Sequence, residues 1–573
     1  MTTTPEIDRE KLLAGLYAYA DAQDAQAAEV TDEPEVEVEP VVEAELVGEP
    51  EAAPVPEQTR KAAAPHGEGA KPAAGKGKGR GSLQGAVAAS DAFLVEQIAS
   101  ECLAGRFCWS PHLGWMRWDD RVWAHADDAT VRDEVRRYLA EWVIGQITRP
   151  TAGVGYEDLL KLLTKGRIGG LTDLARGLDD VLVNGQDFDA DPDVITVENG
   201  IVDLRTSALM PHDPGRYLTR YVPTRFVPGA QHADVDAMLS AVAPDVADWL
   251  QLRMGQGITG HVPDDDLMLL LHGDGKNGKS SLVDGLCLAL GGRTDTGAMT
   301  FLDDSVLCGD RDAKEERMAL KGARLAFAEE LPEGRRLNVT QLKKAVGTAV
   351  MKARHLYQRE VLWETSHTLF ITTNYRPTVA ETDHGTWRRL ALVPFPYTFV
   401  REPAADFERQ GDSGLKRRLA GQAQREAVLA WLIAGARRWY ATDRSMPDHP
   451  AAVQEATHRW RAESDVIMRY WGERLVADYD SHVMSKELME DLNKFLGEIG
   501  QQSWSQKTAA DRFGAHEETK TRKVEKALIR HRDGLSRPTT DVGHGWVTAR
   551  PEPPARYHAW VGVRFAGDAD LTL

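Results

Sequence analysis

Nine consecutive residues, Gly273, Asp274, Gly275, Lys276, Asn277, Gly278, Lys279, Ser280 and Ser281, follow the apolar run Leu267 to Leu271. Their GxxxxGKS spacing is that of a loop that wraps a phosphate with backbone N–H groups. Glycines suit it because side chains and negative φ angles obstruct that convergence. The apolar positions Leu282, Val283, Leu286 and Leu288 then predict a helix whose positive end faces the same phosphates. In such a loop Lys279 serves the β and γ phosphates of ATP, and the Ser280 hydroxyl serves Mg²⁺. The competing reading, a glycine-rich turn formed by chance, requires neither the strand before nor the helix after.

Four further clusters bear on the same chemistry. Arg324 to Glu330, RLAFAEE, is an apolar strand ending in Glu329 and Glu330. Placed beside the loop strand, such a pair holds Mg²⁺ through its water shell and polarises the attacking water. Thr368 to Thr373 is a strand that ends at Asn374. An amide there orients water against a γ-phosphate, or else merely ends the strand. GTWRRLALVPF presents Arg388 and Arg389, either a solvated surface pair or a finger that stabilises transition-state charge at a neighbouring subunit's site. Between the acid pair and Asn374, VMKARHLYQREVLW reads as two strand-like arms. Its Lys352, Arg354, His355 and Arg359, with aromatic neighbours, suit a hairpin gripping a DNA backbone, or an exposed charged face.

The elements that must position these groups divide the chain into five. Residues 263–400 alternate apolar strands and helices, so an α/β parallel sheet is expected there. Residues 1–85 are Ala, Glu, Pro and Val rich, then Lys and Gly rich, a composition that predicts disorder. Within them Leu12, Leu13, Leu16, Tyr17 and Ala20 share a helical face: a frayed helix, or a docking peptide for a phage or host replication protein. Residues 86–262 read as an α+β domain, with helices near Ala92 to Ala104 and Thr130 to Ile147. Between those helices Trp109, Trp115, Trp118 and Trp123 alternate like strand residues, as core or as a base-stacking platform. Asp187 and Asp189 make a DxD that resembles a polymerase metal pair. No apolar strand delivers them, so they are read as solvated loop acids. Residues 401–479 form a helical extension. Residues 480–573 are a small domain with helices near Ser485 to Ile499 and Ser505 to Phe513, and two wing strands, Gly543 to Thr548 and Ala559 to Phe565. Residues 501 to 537 hold nine Lys or Arg against five Asp or Glu, which suits a winged-helix-like fold docking on DNA, or a polar cap.

At 573 residues the chain exceeds a single core. Its net charge of −19 seems to exclude a nucleic-acid partner, but residues 1–60 carry 16 acidic against 3 basic residues, so most of the excess sits there. Cys102, Cys108, Cys287 and Cys308 have no metal-ligand spacing and are too few for a disulfide scaffold. No apolar run spans a bilayer, and acids ahead of the first apolar patch argue against a secretory signal. A cytoplasmic protein without membrane contact is expected.

The order GDGKNGKSS, RLAFAEELPEGRRLN, LKKAVGTAVMKARHLY, TLFITTNYRP and ETDHGTWRRLALVPF resembles the phage and plasmid primase-helicase family of superfamily 3 helicases, which has satellite-phage and poxvirus members. DPDVITVENGIVDLRT and LQLRMGQGITG resemble the domain before the ATPase in that family. The resemblance implies an AAA+ type core in a homohexamer that translocates on single-stranded DNA and unwinds forked DNA, phage-encoded and acting in a bacterial host. ATP and Mg²⁺ are its implied cofactors. It gives Glu329 and Glu330 the second motif, Asn374 the sensor role, and Arg388 or Arg389 the finger supplied in trans. Lys352 to Arg359 become a hairpin in the central channel. Gly347, Thr348 and Ala349 stand where family members often read GGD. No primer synthesis is expected, because the space before about residue 85 lacks a folded primase. The alternatives are a primase-helicase and an ATP-dependent origin-binding initiator or helicase loader.

Overall fold

A computed structural model describes residues 87–150, 153–309, 314–328, 331, 336–354, 360–379, 384–538, 552–567 and 570. The expectations for residues 1–85 and for a wing strand at Gly543 to Thr548 lie outside them. Two compact units emerge, one of residues up to Arg117 with His125–Val183, the other of Trp118–Ala124 with Asn184 onward. The expected boundary at 262 is not where the chain divides. Ile195, Val197, Val202, Leu204, Val222 and Phe226 share the apolar cluster of the parallel-sheet core, so the stretch from 184 folds with that core.

The first unit is mainly helical. In Asp128–Thr148 the buried residues Val131, Val135, Leu139 and Val143 recur every fourth position, one stripe of an amphipathic helix. That stripe shares an apolar cluster with Leu94 and Ile98 from Asp91–Gln97 and its π-helical continuation Ile98–Leu103, and with Ile168 and Leu171 from Lys165–Ala175. Strands Phe107–Ser110 and Gly114–Trp118 pair antiparallel. Trp115 is buried among these helices, with the Arg176 guanidinium 5.8 Å from its ring centre. It is a core residue.

In the second unit helix α1 (Pro244–Gly257) precedes a sheet of five parallel strands: β1 (Met268–His272), β2 (Met299–Leu302), β3 (Leu325–Ala328), β4 (Thr368–Thr373) and β5 (Leu390–Pro394). Their spatial order is β5-β1-β4-β3-β2. Helix α2 (Lys279–Leu290) follows β1, and α3 (Gln422–Ala441) packs on α1. Alternate side chains explain why the strands read as continuous apolar runs. Leu269, Leu271, Phe327, Phe370 and Val393 join the cluster that holds α1, α2 and α3. Met268, Leu270, Ala326, Leu369, Ile371 and Leu392 join another, with helix Val339–Val346, Trp387 and Trp460. Both faces are covered, as an all-parallel sheet requires. One expectation changes: β4 lies between β1 and β3, so the RLAFAEE strand is not the loop strand's neighbour.

The C-terminal module has its own apolar cluster, which begins at Val466 rather than near 480. After helix Val466–Arg474 come strand Leu475–Met484, helices Ser485–Glu498, Gln506–Ala515 and Glu517–Thr521, then strands Glu525–Ile529, Leu535–Ser536 and Tyr557–Phe565. Tyr557–Phe565, expected as a wing strand, instead lies centrally and pairs antiparallel with both Glu525–Ile529 and Leu475–Met484.

Candidate active site

The glycine-rich loop Gly273 to Gly278 connects the exit of β1 to the first turn of α2. Gly278 caps that helix at φ 85°, and a Cβ there would lie 2.6 Å from Ala241 Cβ. Gly275 and Lys276 also have positive φ, 98° and 52°. The Asn277 amide occupies the space a Cβ on Gly273 would need, which explains that glycine. Asp274 and Ser280 are exposed, and Ser281 is half-buried.

Lys279 is buried. Its ammonium donates to Gly273 O, to Asn277 Oδ1 at 3.1 Å and to Asn374 Oδ1 at 2.9 Å. Asn374 follows β4, whose Thr373 stands in register with His272 at the end of β1, so parallel pairing delivers the amide to the loop. The Asn277 Nδ2 donor is buried without a hydrogen-bond partner among the described residues. Three neutral oxygens are among the partners of this ammonium, and Asn277 Nδ2 adds a donor at the same loop, a concentration of donors suited to an anion.

A cavity of about 1110 Å³ opens from the loop and is lined by Lys276 to Ser281 and Thr372 to Asn374. Its other wall is apolar: Ala237, Met238, Ala241, Phe399 and Leu415, with Arg401 and Lys416 beside them. Sequence reasoning missed this wall, because it comes from three separate segments with no local pattern. Arg418 joins two of them: its guanidinium meets Asp234 at 2.7 Å and also Asp412, at 2.5 Å. That pairing, with Gln424 donating to the same carboxylate, holds the Asp234 carboxyl down at about 2.

The arginine pair resolves into unequal members. Arg389 donates to Gly385 O at 2.6 Å and meets Asp266 at 3.0 Å, with its side chain 16% exposed. Arg388 is 47% exposed and 3.5 Å from Asp266. Leu390 pairs with Met268, at the entrance of β1, whereas the loop leaves from the exit after His272. At roughly 3.3 Å per residue the arginines lie at least about 13 Å along the strand from the loop of their own chain.

Lys352 projects from the outer face of a hairpin, Val350–Ala353 paired with Val361–Glu364. Its ammonium lies 2.5 Å from Glu360, which also meets Lys314 at 2.8 Å. Lys314 first, then Lys352, hold the Glu360 carboxyl at about 2, so this pin is intact above the ordinary carboxylate range and is lost only as pH falls through about 2. Arg354 is exposed. His355, Arg359, Glu329 and Glu330 lie outside the described residues.

The two acids of the DxD sit in different surroundings. Asp187 is exposed in a turn, while Asp189 accepts from Thr219 N at 2.8 Å and from the Thr219 hydroxyl. Asp191 meets Arg216 at 3.0 Å, and Asp193, only 8% exposed, meets His261 at 2.7 Å as well as Arg205 and Tyr440. Asp189, Asp191 and Asp193 anchor neighbouring segments; of the DxD, Asp187 is the solvated loop acid that the sequence suggested and Asp189 is not. Among the described residues no group of three or more His, Cys, Asp or Glu could hold a metal ion, and no helix is long and apolar enough to cross a membrane.

Comparison with known proteins places relatives on this framework. Residues 95–251 match a family described as D5 N terminal like. A protein named as a candidate primase, C962R of African swine fever virus, is 27% identical over 241 residues, which is 40% of this chain and 24% of that protein. A protein named as a candidate helicase, L207/L206 of Acanthamoeba polyphaga mimivirus, is 23% identical over 299 residues, 49% of this chain and 30% of that one. The chain therefore spans about a quarter to a third of the length of these relatives. Among solved structures, the NrS-1 C terminal region is 10% identical with a TM-score of 0.39, covering 82% of this chain and 99% of that one.

Proposed function

We propose that this chain, similar over part of its length to proteins of large DNA viruses named as candidate primases and helicases, is an ATP-dependent replicative DNA helicase of the primase-helicase family that translocates on single-stranded DNA and unwinds forked DNA. The observation that carries the reading is the contact of Lys279 with Asn374 beside a cavity large enough for a nucleotide. The loop binds the triphosphate, Lys279 moves from its neutral oxygens to the β and γ phosphates, and Asn374, released from the ammonium, orients the attacking water. The apolar wall of Met238, Phe399 and Leu415 takes the base. Ser280, exposed on the first turn of α2 and lining the cavity, is the hydroxyl that would hold Mg²⁺ with Glu329 or Glu330. When bound, the ion offsets phosphate charge.

A finger at Arg388 has to serve another copy, because it lies at the opposite end of the sheet from its own loop. A ring of six copies, each site shared by two, satisfies that requirement. Arg354 and the hairpin are then the contacts to DNA phosphates, with Lys352 available once Glu360 releases it. The C-terminal strand order, with helix Gln506–Ala515 ahead of the edge strand, suits a winged-helix-like DNA contact.

The name primase borne by one relative supports a second reading, primer synthesis. The engagement of Asp189 with Thr219 counts against it for the described residues. Hydrolysis of ATP by the purified chain tests the main reading, with Lys279→Ala and Asn374→Ala compared. Turnover lost in both, with ATP binding kept in Asn374→Ala, is the expected result; turnover surviving Lys279→Ala contradicts it.

A further inference from the structure

Helix Ala451–Ser464 touches the core at three places, two of them within a few residues of Asn374 or Arg388, which the proposed reaction uses. Near its end the two Glu463 oxygens accept from Arg376 Nη1 at 2.5 and 2.6 Å. One turn earlier Trp460, fully buried, donates from Nε1 to Pro377 O at 2.9 Å. Its ring meets Trp387, the residue before Arg388, edge-on with centroids 5.1 Å apart. A further turn back, Thr457 Oγ1 accepts from Leu392 N on β5 at 2.9 Å. Arg376 and Pro377 are the second and third residues after Asn374. The helix therefore grips the chain within two residues of the amide that meets Lys279.

The same helix runs into the C-terminal module. Asp465 accepts from Met468 N at 3.0 Å, capping the next helix, and its other oxygen lies 2.9 Å from His516 Nε2 in a buried pair. Arg461 adds a bridge to Glu517 at 2.9 Å.

We infer that Glu463, acting through Arg376, is a positioning residue for ATP hydrolysis: it fixes where Asn374 sits against Lys279 and ties that position to the seating of the C-terminal module. The inference rests on the hydrolysis proposed above. β4 ends at Thr373, so beyond it the sheet ladder no longer sets the amide's place. Glu463 is 51% exposed and Arg376 28%, and a pair this exposed adds little to folding stability. Its charge-assisted contact to both oxygens instead fixes direction. A displacement of about 1 Å at a reacting group costs up to about a hundredfold in rate.

The test is steady-state ATP hydrolysis by the full chain carrying Glu463→Gln, Arg376→Ala, or the exchanged pair Arg376→Glu with Glu463→Arg, with melting temperatures alongside. Glu463→Gln is expected to lower kcat about tenfold with KM for ATP within about twofold and melting within about 3 °C, and the exchanged pair to recover most of the loss. An unchanged kcat overturns the inference, as does a loss in which KM and melting move in step and the exchange recovers nothing. If the unsubstituted chain does not hydrolyse ATP, the functional reading itself falls and takes the inference with it. Normal hydrolysis with an indifferent Glu463→Gln sinks the inference alone.

Discussion

Replacing Gly278 by alanine tests whether the loop's backbone shape, and not merely its composition, binds the nucleotide. Residue 278 sits at φ 85°, where a residue with a Cβ is disfavoured by about 1–2 kcal/mol. The added methyl would also stand 2.6 Å from Ala241 Cβ, well inside ordinary contact, and such overpacking typically costs about 1–3 kcal/mol. The two effects act on the same loop and together disfavour the binding conformation by about 2–5 kcal/mol. At about 1.4 kcal/mol per tenfold, ATP binding should weaken at least about thirtyfold. Isothermal titration of ATP into Gly278→Ala and the unsubstituted chain measures this directly. Gly145, in helix Asp128–Thr148, has nothing within 4 Å of an added Cβ, so Gly145→Ala is the control and should bind ATP normally. Undiminished ATP affinity in Gly278→Ala would refute the reasoning, since it would mean the left-handed turn is dispensable for the ligand.

Other consequences follow from the contacts already described. Arg388→Ala should abolish turnover with little change in melting, whereas Arg389→Ala should lower melting, at a cost of about 1–3 kcal/mol, by leaving Gly385 O without its half-buried donor and Asp266 with the longer Arg388 contact. Turnover assays and thermal melts on both variants separate the two roles. Glu360→Gln frees Lys352 and Lys314, so it should tighten single-stranded DNA binding and steepen its salt dependence by up to about 0.7 per freed cation, read by fluorescence anisotropy across a KCl series. Burial holds the His367 imidazole down at about 4, with Nε2 3.0 Å from Ala345 O. Because the folded value lies below the ordinary 6.5, the unfolded chain takes up the proton first, and stability falls as pH drops from about 6.5 towards 4. The loss is limited to about 3 kcal/mol at about 1.4 per pH unit. Urea midpoints across that range should show it, and His367→Gln should flatten the slope.

The strand, glycine-rich loop and helix around residues 268–290 were legible because their signals are local: one apolar run, nine loop residues and one helical stripe carry them. Strand β4 ended where the pattern TLFITTN placed it, since a parallel strand buried on both faces reads as a continuous run and then a polar tip. Features built from distant segments were not legible. Met238, Phe399 and Leu415 line one wall although nothing in the sequence links them, and the Arg418 contact that joins two of their segments spans 184 residues. Charge was misleading for a related reason. Asp189 looked solvent-facing in isolation, but the fold brings Thr219 to it, and the basic look of the hairpin stretch hid the pairing of its Lys352 with its own Glu360. The C-terminal boundary was set too late because Val466 to Leu475 completes a core whose other members lie up to about 90 residues further on.

ATP hydrolysis with and without single-stranded DNA, measured together with displacement of a labelled strand from a forked duplex, tests the central claim most directly. The account predicts that DNA stimulates hydrolysis, that the purified chain displaces the strand, and that Lys279→Ala abolishes both. Hydrolysis indifferent to DNA, with no strand displaced, would contradict the helicase reading and leave an ATP-dependent switch or loader in its place.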